Sequence, residues 1–343
     1  MKSIRIIFLV VLSVILISGS CGRPDLLVIN DINTDGSVNR RLIMTYDKDD
    51  FDLKDMQVPA DSTWVLNKTF EVSEKGDTLW TLTAERHFAS VDELNNTYND
   101  DTGSNDHLLR WAEFSKKFRW FNTVYYYSEN VGKVIEAYPP EDFLDQEYLN
   151  LFYMPEKIFN DYRYGEDSLK YKAMIDSLED KKDEWVGRCI VKAAIIELDS
   201  LLLKTGDKSI DINLIKGKEE ELGDIILGDV DVEVAIDSLF GKGYYTNNKI
   251  LIDSSLKNLE NKIDMAMRVE TYLTQTKMPG ELVGTNGYID TDGAIIWELN
   301  SEVIFAKDYS MWAQSTVSNL WAWIVSALFV IFVVISIVFR SRR

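Results

Sequence analysis

The apolar positions divide the chain into three zones. Ile6–Ile17 is an unbroken apolar run apart from Ser13, and Leu320–Phe339 is apolar apart from Ser326 and Ser336. Between these ends the period of the pattern changes twice. Early on it is short and β-like: a strand is predicted at Arg41–Tyr46, then Thr63–Val72 and Thr78–Arg86 around the turn Glu74-Lys75-Gly76-Asp77. Ser90-Val91-Asp92-Glu93 has the form of a capping box and predicts a short helix, followed by a polar loop over Asn95–Asp106. Phe114–Ser128, aromatic and β-branched throughout, predicts one long strand with a face buried under helices.

From Pro139 the pattern becomes helical. Helices are predicted at Glu141–Met154, Glu166–Lys204 with a break at Gly187, Leu222–Leu227, Val232–Phe240 and Ile250–Leu259. Near Asp264 strand character returns, with strands at Met265–Thr276, Glu281–Ile289, Ala294–Leu299 and Glu302–Ala306. Lys277–Gly280 and Asp290–Gly293 form the turns between them. Neither set of strands suffices for a sheet with its own core. The expected fold class is therefore α+β: an antiparallel sheet drawn from both chain halves, with a long central helical insertion at about 140–262, plus a C-terminal transmembrane helix.

The two ends carry an address. Lys2 and Arg5 precede the first apolar run, and Ser18-Gly19-Ser20-Cys21 follows it, the three parts of a secretory signal over 1–20. Small residues directly before Cys21 resemble the lipobox of bacterial lipoproteins. That resemblance implies cleavage before Cys21 and a diacylglyceryl (palmitate-bearing) anchor on its thiol. An ordinary signal peptide or a signal anchor is the alternative, and it places the body 21–318 on the same side. At the other end, 320–339 matches the roughly 20 residues needed to cross the hydrocarbon core. Trp321 and Trp323 stand where indole rings favour the headgroup zone, and Arg340, Arg342 and Arg343 form a basic tail 340–343 predicted to be cytoplasmic. The expected location is a bacterial inner membrane with the main domain extracytoplasmic (periplasmic).

Cys21, Pro279-Gly280, Asp292-Gly293, Trp297 and the anchor from Leu320 together faintly resemble the ectodomains of LppM-type lipoproteins. The resemblance implies a β-rich outer domain on a C-terminal transmembrane helix, with a lipid-binding role among those proposed for such domains.

Charge and composition then narrow the partners. The chain has 37 Lys and Arg against 56 Asp and Glu, a formal charge of −19, and none of the acidic residues lies in the two ends. A body that acidic repels phosphate backbones, so nucleic acid is excluded as a partner. Two Cys and two His exclude a disulfide scaffold and any His- or Cys-rich metal centre. No G-x-S-x-G, His-Glu-x-x-His or glycine-rich phosphate loop occurs. Cys189, in a helical apolar setting, is expected to be a buried inert thiol, and His87 and His107 to be structural or solvated. Asp31–Gly36 copies half of an EF-hand loop, but Leu42 stands at the twelfth place, so an Asp-rich turn is expected there. Repeated Asp-Ser/Thr-apolar triplets look like O-glycosylation acceptors; turn and helix-start chemistry is the favoured account.

No catalytic, cofactor or metal residue is thus expected. The leading expectation is a non-enzymatic envelope lipoprotein that binds or scaffolds, with the membrane and another envelope protein as partners. A carrier of an amphiphile or lipid is the alternative, requiring an apolar cavity of about 300 Å³ or more between helices and sheet. A carboxylate-based hydrolase is third.

Overall fold

The computed structural model describes residues 24–341 except 50–54, 57, 59–62, 74–75, 100–107, 155–158, 160–161, 166–167, 229, 267, 269–271, 300–303 and 306. The body is two facing sheets joined to a helical block. The N-terminal half supplies β1 (Asp25–Ile32), β2 (Val38–Tyr46), β3 (Val65–Val72), β4 (Thr78–Phe88), helix α1 (Val91–Asn99), β5 (Arg110–Phe118) and β6 (Asn122–Val131). The helical block contains α2 (Gln146–Phe152), α3 (Ser168–Thr205), α4 (Ile212–Lys216), α5 (Glu219–Leu227), α6 (Val232–Phe240) and α7 (Tyr244–Ala266). The chain then returns as β7 (Tyr272–Lys277), β8 (Glu281–Thr285), β9 (Tyr288–Ile289), β10 (Ile295–Leu299) and β11 (Tyr309–Ser318), and ends in α8 (Leu320–Ser341).

The α+β class, the strands from both halves and the central helical insertion are all present. The strands are divided, however, between a seven-stranded sheet (β3-β4-β2-β1-β7-β10-β9) and a four-stranded one (β5-β6-β11-β8). The returning half crosses between them, β7, β9 and β10 in the larger sheet and β8 and β11 in the smaller, so every connection except the β9–β10 turn stitches the two layers together. All ladders are antiparallel except β1·β7, which pairs Leu26 with Tyr272 in parallel. That direction follows from the insertion, because a long crossover rather than a hairpin separates the two strands.

Alternation explains the core. On β1 and β2 the residues Leu26, Val28, Ile32, Val38, Leu42 and Met44 point inward, while their neighbours face out. They meet Tyr127, Val131, Met311 and Ala313 from the four-stranded sheet in one cluster that also holds Trp297 and Phe88. Each large side chain fully buried there contributes about 1.5–3 kcal/mol.

Several expectations are corrected. Phe114–Ser128 is not one strand: the chain reverses at Trp120-Phe121, giving the β5–β6 hairpin closed by Arg119 N–H donating to the Asn122 carbonyl. Its buried face packs on the other sheet and, at β5, on the short helix α1 rather than on the long helical block. The capping box holds, with Glu93 N–H donating to Ser90 Oγ, but the helix runs on to Asn99, into the segment expected to be loop. Glu141–Met154 is a single 3₁₀ turn (Pro140–Asp142) and then α2, which starts only after the Asp145 cap. Met265–Thr276 is helical to Ala266 and a strand only from Tyr272. Of Glu302–Ala306, the described pair Ile304-Phe305 is a helical turn. β11 was not anticipated, because its uncharged sequence merges with the membrane run.

α3 is unbroken at Gly187. The glycine instead lets α5 approach, since a Cβ there would lie 2.2 Å from Leu227 Cδ2. α3 is buried on two sides, Val186, Cys189 and Ala193 facing one cluster and Val191, Ile195 and Leu198 another, which accounts for its mixed apolar spacing. A Gly187→Ala variant is expected to lose about 1–3 kcal/mol by overpacking. Chemical denaturation followed by far-UV circular dichroism measures it, and an unchanged midpoint would show that Leu227 yields without cost.

Candidate functional site

β11 passes directly through Asn319 into α8, and this junction is the most elaborated polar and aromatic site at the surface. α8 is 22 residues long with mean hydropathy 2.9, and only 6% of its apolar window is buried. At about 1.5 Å per residue it is about 33 Å long. It is therefore long and apolar enough to cross a membrane, and it stands clear of the body as a core helix does not. Trp321 and Trp323 lie in its first turn, both exposed, and Arg340 in its last. Cys21, Arg342 and Arg343 lie outside the described residues.

The tip of the β5–β6 hairpin rests on the start of this helix. Phe118 stacks on Trp321 at 6.1 Å, Trp120 meets the same ring edge-on at 5.5 Å, and Phe121 packs on Trp323 at 4.3 Å. Trp120 Nε1–H donates to Ser326 Oγ at 2.8 Å. Asn319 closes the turn: its Nδ2 donates to the carbonyls of Arg119 (2.8 Å) and Trp120 (3.3 Å), and its backbone N–H to that of Phe121 (2.9 Å). Asn319 Oδ1 in turn accepts from Thr123 Oγ1. On the neighbouring turn, Ser315 Oγ donates to the Pro279 carbonyl, and Gly280 (φ 80°) comes so close to β11 that a Cβ would sit 2.2 Å from the Thr316 carbonyl oxygen. Sequence reasoning found Trp321, Trp323 and Arg340 but missed the hairpin tip. The signal for it was the run Lys116-Lys117-Phe118-Arg119-Trp120-Phe121, a basic and aromatic cluster in an acidic chain.

A second site that the sequence did not reveal lies between the sheets. Arg40 on β2 and Arg110 on β5 each bind the Glu129 carboxylate of β6 at 2.6 Å, all three side chains being buried. Tyr127 O–H donates to Glu129 at 2.9 Å, and Arg40 Nε to Asn30 Oδ1 at 2.8 Å. Arg40 Nη1 and Arg110 Nε and Nη2 have no hydrogen-bond partner among the described residues. The rings of Tyr98 and Tyr272 face the Arg110 guanidinium instead, at 5.9 and 4.8 Å. Burial works to raise the Glu129 pKa, but the two guanidinium groups outweigh it and hold the carboxyl at about 2. Burial first, then Glu129, pushes the Tyr127 hydroxyl upward. Every member is locked on a strand of the core, so the cluster pins sheet to sheet.

The remaining candidates have plain surroundings. Cys189 is buried against the Tyr138 carbonyl, and burial pushes its thiol up to about 12, so it stays protonated. His87 Nδ1 lies 2.7 Å from Asn39 Oδ1, and His107 is outside the described residues. Asp35 accepts from Ser37 N–H and Oγ–H, closing the β1–β2 turn. In the helical block, Ile195, Leu198, Ile226, Ile236, Ile252 and Leu256 line an apolar cavity of about 60 Å³, lying among helices rather than between helices and sheet. That is well short of the 300 Å³ or more a carrier needs. No protein-family model, curated protein or solved structure matches the chain.

Proposed function

We propose that this chain is a non-enzymatic, membrane-anchored envelope lipoprotein whose acidic body serves binding or scaffolding outside the cytoplasm. The observation that carries the reading is α8, an exposed apolar helix emerging from a core strand without a linker. Arg340, Arg342 and Arg343 after it favour a cytoplasmic tail. Cys21, after a basic and apolar leader, would supply a second, lipid anchor on the N-terminal side of the body in the sequence.

The binding role is supported by β3. All eight of its residues are exposed, Val65, Leu66, Phe70 and Val72 among them, and it forms an outer edge of the larger sheet. Among the described residues no strand pairs with its outer side, and an edge of that kind invites an extended segment of a protein partner.

Reporter fusions in a bacterial host test the topology. A reporter active only outside the cytoplasm is expected to be active when fused after Ser310 and silent after Arg343. Activity at both positions would mean that α8 does not span and would overturn the reading.

A further inference from the structure

We infer that the β5–β6 hairpin tip is a second membrane-contacting element: Trp120 and Phe121 insert into the leaflet facing the body, and Lys117 and Arg119 bind the phosphates of anionic phospholipids there. The inference rests on the proposal that α8 spans the bilayer.

Depth is the first argument. The Trp120 ring reaches Ser326, six residues into α8 and so about 9 Å along its axis from Leu320. If α8 crosses the bilayer from its first turn, that ring is below the headgroups.

The second argument is polar satisfaction. A loop enters the membrane interface at less cost the more of its polar groups are already paired. Here Asn319 satisfies the carbonyls of Arg119, Trp120 and Phe121, and Ser326 takes the indole N–H, the one polar atom of the Trp120 side chain.

Turn chemistry is the third. The two loop positions of a tight hairpin favour Asn-Gly or similar pairs, whereas here they are Trp and Phe. Folding in water gains little from them, for Phe118, Trp120, Phe121, Trp321 and Trp323 all remain exposed although they touch one another. A contiguous exposed patch of that kind marks an interaction surface.

Charge identifies the occupant. Between Glu113 and Glu129 the chain has no acidic residue and has Lys116, Lys117 and Arg119. Lys116 is taken up by the Thr34 carbonyl and the Tyr125 ring. Lys117 and Arg119 are exposed, flanking the aromatic tip. The acidic residues at this end include Asp31, Asp35 and Glu281, and Asp290 and Asp292 in the β9–β10 turn on the far side of the larger sheet. Asp35 is engaged by Ser37, and Glu281 lies across β11 from the tip, opposite Thr316. An acidic body is repelled by an anionic surface while this basic tip is drawn to it, which favours contact through the tip.

The test uses the full chain carrying Cys21→Ser, since Cys189 is buried and unreactive. Phe121→Cys or Ile331→Cys, labelled with an environment-sensitive fluorophore, is reconstituted in phosphatidylcholine vesicles with or without phosphatidylglycerol. The label at 331 is expected to be quenched by mid-chain nitroxide lipid. The label at 121 should be blue-shifted, quenched by shallow nitroxide, and further inserted by phosphatidylglycerol. Lys117→Gln with Arg119→Gln should reduce the inserted-to-exposed ratio in phosphatidylglycerol by about fivefold for each charge removed. A water-like label at 121 with a deep label at 331 overturns this inference and leaves the anchor standing. Water-like labels at both positions overturn both. Insertion at 121 that is indifferent to phosphatidylglycerol and to the two Gln substitutions overturns the headgroup contact.

Discussion

Equilibrium unfolding of a Glu129→Gln variant is expected to show a loss of about 3–5 kcal/mol, the cost of leaving buried charges without their partner. Two guanidinium groups would then share a dry layer between the sheets with no carboxylate, and Tyr127 would lose its anionic acceptor. Typical domains have only about 5–15 kcal/mol in total, so the variant should be visibly less stable at ambient temperature. Near-UV circular dichroism of the full chain in detergent, titrated with urea, measures it. A loss below about 1 kcal/mol would mean that the cluster is not the pin between the sheets. Replacing Arg40, Glu129 and Arg110 together by apolar residues of similar volume should recover most of the loss, because the desolvation of all three charges disappears with them.

The same group sets an acid limit. Its folded pKa, about 2, lies below the ordinary glutamate value of 4.5. The stabilisation from ionised Glu129 is therefore complete above about pH 4.5 and is lost as pH falls toward 2. Wild type should lose stability across that window, and the Gln variant should lack this component of the loss.

On the proposal that α8 spans the bilayer, ending the chain after Asn319 is expected to turn carbonate-resistant attachment into releasable attachment. Burying some twenty apolar residues in hydrocarbon exceeds what one acylated cysteine supplies, since a single lipid signal binds reversibly. Alkaline carbonate washing should leave the full chain in the membrane pellet and release at least part of the truncated form. Adding Cys21→Ser to the truncation should make the body wholly soluble, while Cys21→Ser alone should leave it anchored. A doubly altered chain still pelleting would point to attachment through the body itself. Release of the full-length Cys21→Ser chain would refute the spanning helix.

Element types were legible in the sequence wherever period and boundary agreed. Val232–Phe240 was predicted residue for residue, and the 38-residue α3 within two residues at its start and one at its end. Legibility failed where local chemistry departs from its usual partner. The β5–β6 turn has no Gly, Asn or Pro at its two loop positions, so nothing in Phe118–Tyr127 announced a reversal; packing against α8 and the side chain of Asn319 replace the usual turn residues. β11 was hidden for the opposite reason. Two of its three buried positions, Ala313 and Ser315, are small, and the lack of charge matched the helix beyond. The Arg40–Glu129–Arg110 cluster could not be read at all. Its members are 40 to 129 in sequence, each an ordinary charged residue in an alternating strand, and only the facing of two sheets brings them together. The anchor was legible because hydrocarbon thickness acts on a contiguous segment and needs no tertiary partner.

The parallel pairing of β1 with β7 has a consequence for how the molecule is made. Leu26 meets Tyr272 and Asp31 meets Lys277, so the first strand to emerge waits for the whole helical block before its second edge is covered. Synthesis at roughly 5–20 residues per second puts about 12–50 s between the two strands. Throughout that interval β1 and β2 present an open edge and an apolar face, while α3–α7 are largely local in their contacts and close quickly. The hairpins of the N-terminal half can pair early, but closing both sheets comes last, when β7 covers β1 and β11 covers β6. Slowing the chain's synthesis should therefore leave β1–β6 open to proteolysis for longer, until β7 and β11 are made.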